Sequence, residues 1–382
     1  MDFVTAVWNS GYGLLGYLVP FLFVLTLVVF VHELGHFLVG RWCGVDVRVF
    51  SIGFGRELFG FYDRHGTRWR FALIPLGGYV KFSGDADASS ATDHEGVGRM
   101  TPEQRARTFP AQSIGERAAI VAAGPIANFI LAIAIFAGIA FFFGKPVLQP
   151  RVDAIAAGSA AERAGLQSGD LVIAIEGRPI TSFSDLQRAI SIRPDEPTAI
   201  TIERGGAAQT MSITPTLVEQ SSPLGTQRIG VIGVRAPGQP SDWTVRQYGA
   251  VDSLREGLNE TWFVVARTYD YVRKLIIGKE STDQLSGPIR IAQVSGLVAS
   301  NGGLLALINL AAILSVSIGL MNLLPVPMLD GGHLMFYAIE ALRGRPLSER
   351  AQELGFRFGL GLVLALMLFV TWNDITHVRG LL

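Results

Sequence analysis

Long runs without a charged residue constrain this chain more than any other feature of its sequence. They cover residues 3–31, 118–143, 291–329 and 358–373. A helix needs about 20 mostly apolar residues to span the hydrocarbon core of a bilayer, so the first three runs are long enough. Residues 354–356 extend the fourth run, and the long side chain of Arg357 can reach the membrane interface. The sequence therefore predicts four transmembrane helices.

The composition agrees with a membrane protein and excludes other classes. Of the 382 residues, 49% are hydrophobic, and the formal net charge is zero. Nucleic-acid-binding proteins have a basic stripe, which this balance does not indicate. Cys43 is the one cysteine in the sequence, so neither an intramolecular disulfide nor a four-cysteine zinc site can form.

The distribution of basic residues predicts the orientation of the helices. The chain has Asp2 but no Lys or Arg before Arg41, so it lacks the basic leader of a cleaved signal peptide. The first run is therefore predicted to remain as a helix. Residues 41–117 are rich in Arg, and the positive-inside rule places such a loop in the cytoplasm. The N-terminus and residues 144–303 are then predicted to lie outside.

The outside segment has the pattern of a small α/β module. Strands are predicted at residues 151–155 and 171–175 and around 199–202 and 211–213. Two short helices are predicted to begin at Ser159, with Glu162 completing a capping box, and at Ser184. Residues 161–172 (AERAGLQSGDLV) closely resemble bacterial PDZ domains. That resemblance implies a groove that accepts the C-terminus of a peptide by strand addition. A spacer or size filter with the same fold is the alternative.

The predicted fold is a polytopic α-helical membrane protein with four transmembrane helices, an inserted α/β PDZ domain and a membrane-associated β-hairpin. Apolar residues at helical spacing within 243–277 also predict an amphipathic helix that contacts other helices or lipid. The predicted segments are a first helix within 1–43, a cytoplasmic loop at 44–116 with a hairpin at about 67–84, a second helix at 117–143, the PDZ domain at 146–218, a linker and amphipathic helix region at 219–303, a third transmembrane segment at 304–333, a cytoplasmic loop at 334–353 and a fourth helix at 354–373.

A metal-binding pattern, His32-Glu33-Leu34-Gly35-His36, ends the first apolar run. Residues four apart share one face of a helix, so both imidazoles can bind one ion. Glu33 can act as general base on a metal-bound water, as in the H-E-x-x-H motif of zinc peptidases. At about 1.5 Å per residue, the site lies roughly 13 Å below Arg41, where polar groups must pair, bind metal or line a water-filled cavity. The alternative is a solvated helix end with two incidental histidines.

A catalytic zinc usually has three protein ligands and one open position. Asp330 is the candidate third ligand, because it ends the third charge-free run within residues 322–333 (NLLPVPMLDGGH). The two prolines interrupt helical pairing and the two glycines loosen the chain, so Asp330 can turn towards a neighbouring helix. Alternatively, Asp330 caps the following helix. His333 is a rival ligand that we expect to pack or orient nearby.

Together these motifs resemble the site-2 protease family. The chain has H-E-x-x-H in the first span, N-x-x-P-x-P-x-L-D-G in a later span and a PDZ-like module between them. Residues 124–128 (GPIAN) and 285–289 (LSGPI) are also similar to the regulator-of-sigma-E protease group of that family. The resemblance extends over nearly the whole chain. Well-studied members have two tandem PDZ modules, whereas one is visible here.

The resemblance implies a zinc endopeptidase that performs regulated intramembrane proteolysis in the bacterial cytoplasmic (inner) membrane. It implies His32, His36 and Asp330 as Zn2+ ligands and Glu33 as the base that passes a proton from water to the leaving amine. Asn322 matches a position implicated in substrate handling, and so does Pro325. The implied partners are the lipid bilayer and single-span membrane proteins, such as anti-sigma factors already shortened outside by another protease, or remnant signal peptides.

A helical substrate must unwind before attack, because the helix buries its peptide bonds. Residues 69–82 are predicted to form two strands about a Pro/Gly turn and resemble the membrane-associated hairpin of the family. The edge of that hairpin can pair with an unwound substrate, which makes Gly77 and Gly78 candidate substrate-binding residues. The alternative is a cytoplasmic hairpin that only closes the helix bundle.

Two other classes of function use the same residues. A zinc transporter or metal-binding membrane protein would bind the ion with the same histidines, but it needs neither Glu33 as a base nor a PDZ module. A membrane scaffold would recruit partners through the PDZ module and have an inactive site. No nucleic-acid partner is expected.

Overall fold

The computed structural model describes residues 13–85, 93–222, 225–236, 243–278, 280, 282 and 285–380. Four helices in these ranges are long and apolar enough to span a membrane, which confirms the predicted number. The chain divides into two compact units. The first, the helical unit, comprises residues up to Phe136, Gly257–Ala266 and residues from Ser286 onward. The second, the α/β unit, comprises Ala137–Glu256 and Arg267–Leu285.

The helices are numbered in chain order, and a short 3-10 helix follows α3 at Phe109–Ala111. They are α1 (Leu15–Trp42), α2 (His94–Gly98), α3 (Pro102–Ala106), α4 (Ile114–Phe142), α5 (Ala160–Arg163), α6 (Phe183–Ser191), α7 (Ala250–Ile276), α8 (Pro288–Asn322), α9 (Asp330–Arg343) and α10 (Glu349–Gly380).

The strands are numbered in the same way. They are β1 (Val47–Tyr62), β2 (Arg68–Phe82), β3 (Lys145–Leu148), β4 (Ala154–Ile155), β5 (Leu171–Ile175), β6 (Arg178–Pro179), β7 (Thr198–Arg204), β8 (Ala207–Ile213), β9 (Thr216–Ser222), β10 (Gly225–Val231), β11 (Val234–Arg235) and β12 (Trp243–Arg246).

The third spanning helix differs from its predicted bounds. The prediction of one segment at 304–333 is wrong, because α8 begins at Pro288 and ends at Asn322, and α9 begins at Asp330. Gly303 interrupts α8 with non-helical angles (φ 66°, ψ −161°), a conformation that glycine adopts without a Cβ clash. The absence of charged residues does not reveal this kink or the break before α9, because both lie within the charge-free run 291–329.

The helical unit packs α8 against both α1 and α4. Small residues on α8 let the helix backbones approach closely, as is common between membrane helices. The buried side chains at these two contacts are Val24, Val28, Leu307 and Ala311 between α1 and α8, and Ala132, Phe136, Ala312 and Val316 between α4 and α8.

β1 and β2 form a sheet whose pairing differs from the predicted hairpin. Phe50 has partners on both sides, Val80 and Trp69, and Ile52 is likewise paired with both Gly78 and Phe71. The two halves of β2 therefore lie on opposite sides of the first half of β1. The predicted hairpin at 67–84, with two strands about a Pro/Gly turn, is wrong in its pairing, because each half of β2 pairs with β1.

Aromatic side chains fix this sheet against α1. Phe50 is fully buried and stacks on Trp69 with 4.3 Å between ring centroids. Phe37 of α1 meets the Phe50 ring edge-on at 5.3 Å. Offset and edge-on aromatic pairs add to the stabilisation from burial, so the sheet is held in a defined position beside the helix.

Asp63 closes the turn between β1 and β2. Its carboxylate accepts hydrogen bonds from the Arg41 side chain, the Trp69 indole and the backbone amides of His65 and Thr67. Partial burial opposes ionisation of this carboxyl, but the hydrogen bonds from Trp69, Thr67, His65 and Arg41 lower its pKa to about 2. The turn is therefore tied to the end of α1 by a carboxylate that stays charged near neutral pH.

The α/β unit has a sheet of strand order β6-β5-β7-β8 and two short helices. The predicted strand at 171–175 is confirmed by β5. Ser159 caps α5 as predicted, through its side chain and the Glu162 amide, while the Glu162 carboxylate accepts from the Gly158 amide.

Two predicted boundaries in this unit are wrong. Ser182, not Ser184, caps α6, because the Ser182 hydroxyl accepts from the Asp185 amide. The predicted module ends at residue 218, but β11 pairs with β4 and Ile232 joins the buried core. A strand that returns to pair with the start of the module is a long-range feature, which local periodicity does not reveal.

A buried ion pair joins β7 to the start of β5. The Asp170 side chain is 1% exposed and accepts two hydrogen bonds from the Arg204 guanidinium, at 2.7 and 2.6 Å. The Arg204 hydrogen bond is the largest influence on the Asp170 carboxyl and holds its pKa below the usual value, against the opposing effect of burial.

The predicted amphipathic helix is confirmed by α7. Five large apolar side chains at helical spacing are exposed along it: Val251, Leu254, Leu258, Trp262 and Tyr269.

Candidate metal centre and active site

Three side chains of the helical unit converge on one point. His32 Nε2 lies 3.2 Å from His36 Nε2 and 3.2 Å from Asp330 Oδ2, and His36 Nε2 lies 3.6 Å from Asp330 Oδ1. Among the described residues these three form the group whose ligand atoms could hold a metal ion. The structure thus brings together the three residues that the sequence predicts as ligands.

The size of this triangle fits zinc. With bonds of about 2.0–2.1 Å in a tetrahedron, neighbouring ligand atoms lie roughly 3.3 Å apart. Asp330 Oδ2 is buried and accepts no hydrogen bond in the described structure. A buried carboxylate oxygen needs a partner, and a bound cation would be that partner. Two neutral imidazoles and one carboxylate are also a donor set that zinc prefers. The residues therefore fit a zinc ion with one position left for water.

The ring nitrogens that face away from the centre have their own partners. His36 Nδ1 lies 2.9 Å from the Ile120 carbonyl, and His32 Nδ1 lies 3.2 Å from Asn128 Nδ2. Both partners belong to α4. A backbone carbonyl accepts a hydrogen bond from Nδ1–H, so the proton of His36 stays on Nδ1 and the Nε2 lone pair is free to bind a metal.

Glycines allow α1 and α4 to approach closely enough for these contacts. A Cβ on Gly35 would overlap the carbonyl oxygen of Ala123, and a Cβ on Gly124 would overlap His36 Nε2. Gly124 and Asn128 are four residues apart, so they share the face of α4 that meets the histidines. Residues 124–128 were noted in the sequence only for their resemblance, and i, i+4 spacing is the signal that links them to the site.

Asp330 reaches the centre from the first position of α9. The chain between α8 and α9 turns sharply, and Met328 has a positive φ of 88°. Side chains on Gly331 or Gly332 would overlap backbone carbonyls of this turn. Leu329 occupies the N-cap position of α9 without a side-chain hydrogen bond, and the Asp330 carboxylate faces the histidines. The geometry favours Asp330 as a ligand over its alternative role as a helix cap.

His333 does not join the ligand group. Its ring lies 5.3 Å from the Phe356 ring and 6.5 Å from the Tyr337 ring, where it packs beside the cavity. This position matches the prediction that His333 packs or orients nearby.

A cavity of about 410 Å³ opens onto the centre. Glu33, Gly78 and Asn322 line it together with the three candidate ligands. Gly77 and Pro325 are not among its lining residues. Pro325 is exposed on the turn before α9, and Gly77 adopts φ 129° where β2 bends. Of the four predicted substrate-binding residues, the structure brings two to the cavity.

Glu33 lies between the metal ligands and β2. A Cβ on Gly78 would be 3.3 Å from Glu33 Cγ, and the backbone N–H of Val80 interacts with the Glu33 carboxylate. The absence of a side chain on Gly78 thus lets β2 approach the Glu33 side chain closely. Val80 is a neighbour that the sequence did not single out.

Comparison with known proteins matches this chain to a peptidase family and to metalloproteases. The model of peptidase family M50 matches residues 20–366. A protein of Rhizobium meliloti named as a zinc metalloprotease is 51% identical over 96% of this chain and 98% of its own length. A protein of Agrobacterium fabrum with the same kind of name is 49% identical, over 96% and 97%. The metalloprotease MmpA of Caulobacter vibrioides is 41% identical over 96% of both chains.

Proposed function

Because the chain belongs to peptidase family M50 and is a zinc metalloprotease, we propose that it cleaves single-span membrane proteins within the bilayer. The observation that supports this most strongly is the position of the candidate centre. His32, His36 and Glu33 lie within α1, a helix apolar enough to span a membrane, and Asp330 joins them after α8. A peptidase site at this depth acts on peptide bonds that are themselves in or near the membrane.

His32, His36 and Asp330 would hold the zinc ion. When bound, zinc supplies Lewis-acid chemistry, which makes a water more acidic and polarises the scissile carbonyl. Glu33 faces the same cavity and is placed to accept the proton of the attacking water and to pass it to the leaving amine. Asn322 lines the cavity as well, and its amide can hold the substrate backbone or the oxygen that becomes negative.

The second half of β2 is the proposed docking edge for an unwound substrate. Gly78 and Val80 line the cavity and pair on one side with β1. No further strand pairs with this half of β2 among the described residues. An extended peptide can add to such an edge through its backbone, which would present its peptide bonds to Glu33. A hairpin that only closes the bundle would not need an edge facing the cavity.

The α/β unit is proposed to be a single PDZ domain outside the membrane. Two capped helices and the sheet β6-β5-β7-β8 agree with the resemblance in its sequence. Its role is to bind a peptide C-terminus or to exclude substrates whose outside domain is still large. We further propose that the active site lies near the cytoplasmic side of a bacterial inner membrane, with the N-terminus outside, because the positive-inside rule favours a cytoplasmic position for the basic loop after α1.

The proposed substrates are anti-sigma-factor-like proteins, already shortened outside by another protease, and remnant signal peptides. Membranes from wild-type and Glu33→Gln cells should be compared by proteomics. We expect truncated single-span fragments to accumulate only in the Glu33→Gln cells, while the purified variant keeps stoichiometric zinc. Glu353→Gln, at an exposed surface ion pair with Arg357, is the matched control and should behave as wild type.

The same variant separates the alternatives. A zinc transporter or a scaffold keeps its function when Glu33 is replaced by Gln, because neither needs a general base. Normal fragment turnover in Glu33→Gln cells would therefore contradict the proposed proteolysis. Absence of zinc from the purified wild-type protein would contradict the proposed centre.

A further inference from the structure

We infer that Asn128 is a positioning residue for zinc, which sets the tautomer and ring orientation of His32 through its side-chain carbonyl. This inference rests on the proposed zinc site. Asn128 is fully buried in α4, and its amide is the neighbour of His32 Nδ1, at 3.2 Å. A buried polar group next to a metal ligand needs a partner, and here the partner is the ligand itself.

The requirement on the amide follows from the chemistry of the ring. A neutral imidazole has one N–H and one lone pair, so His32 can bind zinc through Nε2 only if Nδ1 has the proton. A proton on Nδ1 needs an acceptor opposite it. The Ile120 carbonyl provides that acceptor for His36, and for His32 the neighbouring group is the Asn128 amide.

The Asn128 amide has an acceptor atom that can meet Nδ1–H of His32. Its Oδ1 is buried and has no hydrogen-bond partner in the described structure, while Nδ2 faces the ring. The two ends of an amide have nearly the same shape, and the hydrogen-bond network decides which end faces a neighbour. With Nδ1 protonated, half a turn of the amide brings Oδ1 onto His32. In that orientation Oδ1 accepts a hydrogen bond from Nδ1–H of His32 and so gains its partner, and the Nε2 lone pair of His32 is left for the metal.

Contacts from α8 hold the Asn128 backbone in place. The Ser315 hydroxyl donates to the Asn128 carbonyl at 2.9 Å, and both residues are fully buried. A Cβ on Gly319 would lie 3.2 Å from Asn128 Cβ, so the absence of a side chain on Gly319 allows this close approach. Asn128 is thus fixed between α1 and α8, as an orienting group for a metal ligand must be.

Zinc affinity of the purified, detergent-solubilised protein tests the inference, measured by competition with a chromogenic chelator. Asn128→Leu keeps the size of the side chain but removes the acceptor, and it should lower zinc affinity by about 10- to 100-fold. Asn128→Asp keeps an acceptor and removes the donors. It should retain affinity within about threefold of wild type, because carboxylates orient zinc-binding histidines in the same way.

Ser317→Ala is the matched control on the same helix, because it removes a hydrogen bond within α8, from the Ser317 hydroxyl to the Ile313 carbonyl, and leaves the Ser315 hydrogen bond to Asn128 in place. Its zinc affinity should stay close to that of wild type. Unchanged affinity in Asn128→Leu, or an equal loss in Asn128→Asp and Asn128→Leu, would overturn the inference. If the Leu variant does not fold, Asn128→Ala removes the same acceptor and takes its place in the comparison with Asn128→Asp. Unchanged zinc binding in His36→Ala would instead overturn the proposed zinc site.

Discussion

At the scale of single residues, the space around His32 and His36 matters as much as the ligands themselves. Gly35 and Gly124 lie where α1 and α4 are closest, and any side chain at either position would overlap an atom of the other helix. Protein interiors are packed too densely to absorb such an overlap without displacement. The candidate metal centre therefore depends on two residues that provide no functional group.

Gly124→Ala should disrupt the centre. The added methyl group overlaps His36 Nε2, so the ring must move or the helices must separate. We expect a fall in zinc affinity of about tenfold or more, and a parallel loss of proteolysis. Gly138→Ala is the control in the same helix, because nothing lies within 4 Å of its Cβ position and alanine favours helix. Equal zinc affinity in the two variants would contradict this account.

The ionisation of Asp170 should make the stability of the α/β unit depend on pH. The folded-state pKa of Asp170 is below its unfolded value of about 3.9, so the Arg204 pair stabilises fully above that value. The stabilisation is lost as pH falls through the lower, folded-state pKa. Hydrogen-exchange protection of β5 and β7, corrected for the intrinsic rate at each pH, should be constant from pH 7 to 5 and decrease below about pH 4.

Asp170→Asn provides the comparison for this pH dependence. The variant lacks the titrating carboxyl, so its protection in β5 and β7 should be lower at pH 7 and should change less on acidification. If wild type and variant lost protection in parallel, another group would be responsible.

At the scale of elements, α8 is held at its start by a residue of α10. Gly287 occupies the N-cap position of α8 and has no side chain to accept a hydrogen bond. The Asp374 carboxylate takes that role, accepting from the Gly287 amide at 2.9 Å and the Arg290 amide at 3.1 Å. Asp374 is fully buried, so these amides are satisfied where water does not reach them. A cap from a distant helix therefore fixes the position of α8 relative to α10.

Asp374→Ala should destabilise the protein by about 1–3 kcal/mol, because it leaves two buried amides without an acceptor. Thermal unfolding in detergent would show this as a lower melting temperature. Asp374→Asn keeps one acceptor and should have a smaller effect. Thr376→Ala removes a hydrogen bond within α10 and should change stability little. A melting temperature for Asp374→Ala equal to that of Thr376→Ala would contradict the capping role.

The sheet shows which elements the sequence could predict. Residues 69–82 were predicted to form two strands about a Pro/Gly turn, and β2 covers them as one strand. The pairing of both halves of β2 with β1 was not predictable, because strand periodicity defines a strand but not its partner. The start of α6 was predicted two residues too late. Ser182 and Ser184 are equally good N-cap residues in sequence, and only the folded chain shows that Ser182 is the cap.

At the scale of the whole molecule, zinc would link helices that are far apart in the chain. His32 and His36 lie on α1, Asp330 begins α9, and their ligand atoms lie within 4.8 Å of one another. An ion that binds only the folded arrangement stabilises it by mass action, by about 2.7 kcal/mol at a free concentration 100 times its Kd. Metal removal should therefore affect stability as well as activity.

Chelation should lower the melting temperature of the purified wild-type protein, and added zinc should restore it. Asp330→Ala lacks one ligand, so its melting temperature should respond little to either treatment. A shift of equal size in both proteins would show that the stabilising ion binds elsewhere.

The sequence by itself determined the features that depend on neighbouring residues. Four charge-free runs fixed the number of spanning helices, and the i, i+4 spacing of His32 and His36 placed both rings on one face of α1. The role of Glu33 as general base was predicted from the same motif. These predictions needed no knowledge of distant contacts, since helix periodicity and hydropathy are local properties.

Only the tertiary structure decided which distant groups complete the site. Asn128 meets His32 across a separation of 96 residues, and Ile120 meets His36 across 84. Asp330 was predicted as a ligand, but its distance from the histidines depends on how α8 ends and α9 begins. Such contacts follow from the packing of helices through small residues, and packing is a property of the folded chain that no local stretch of sequence contains.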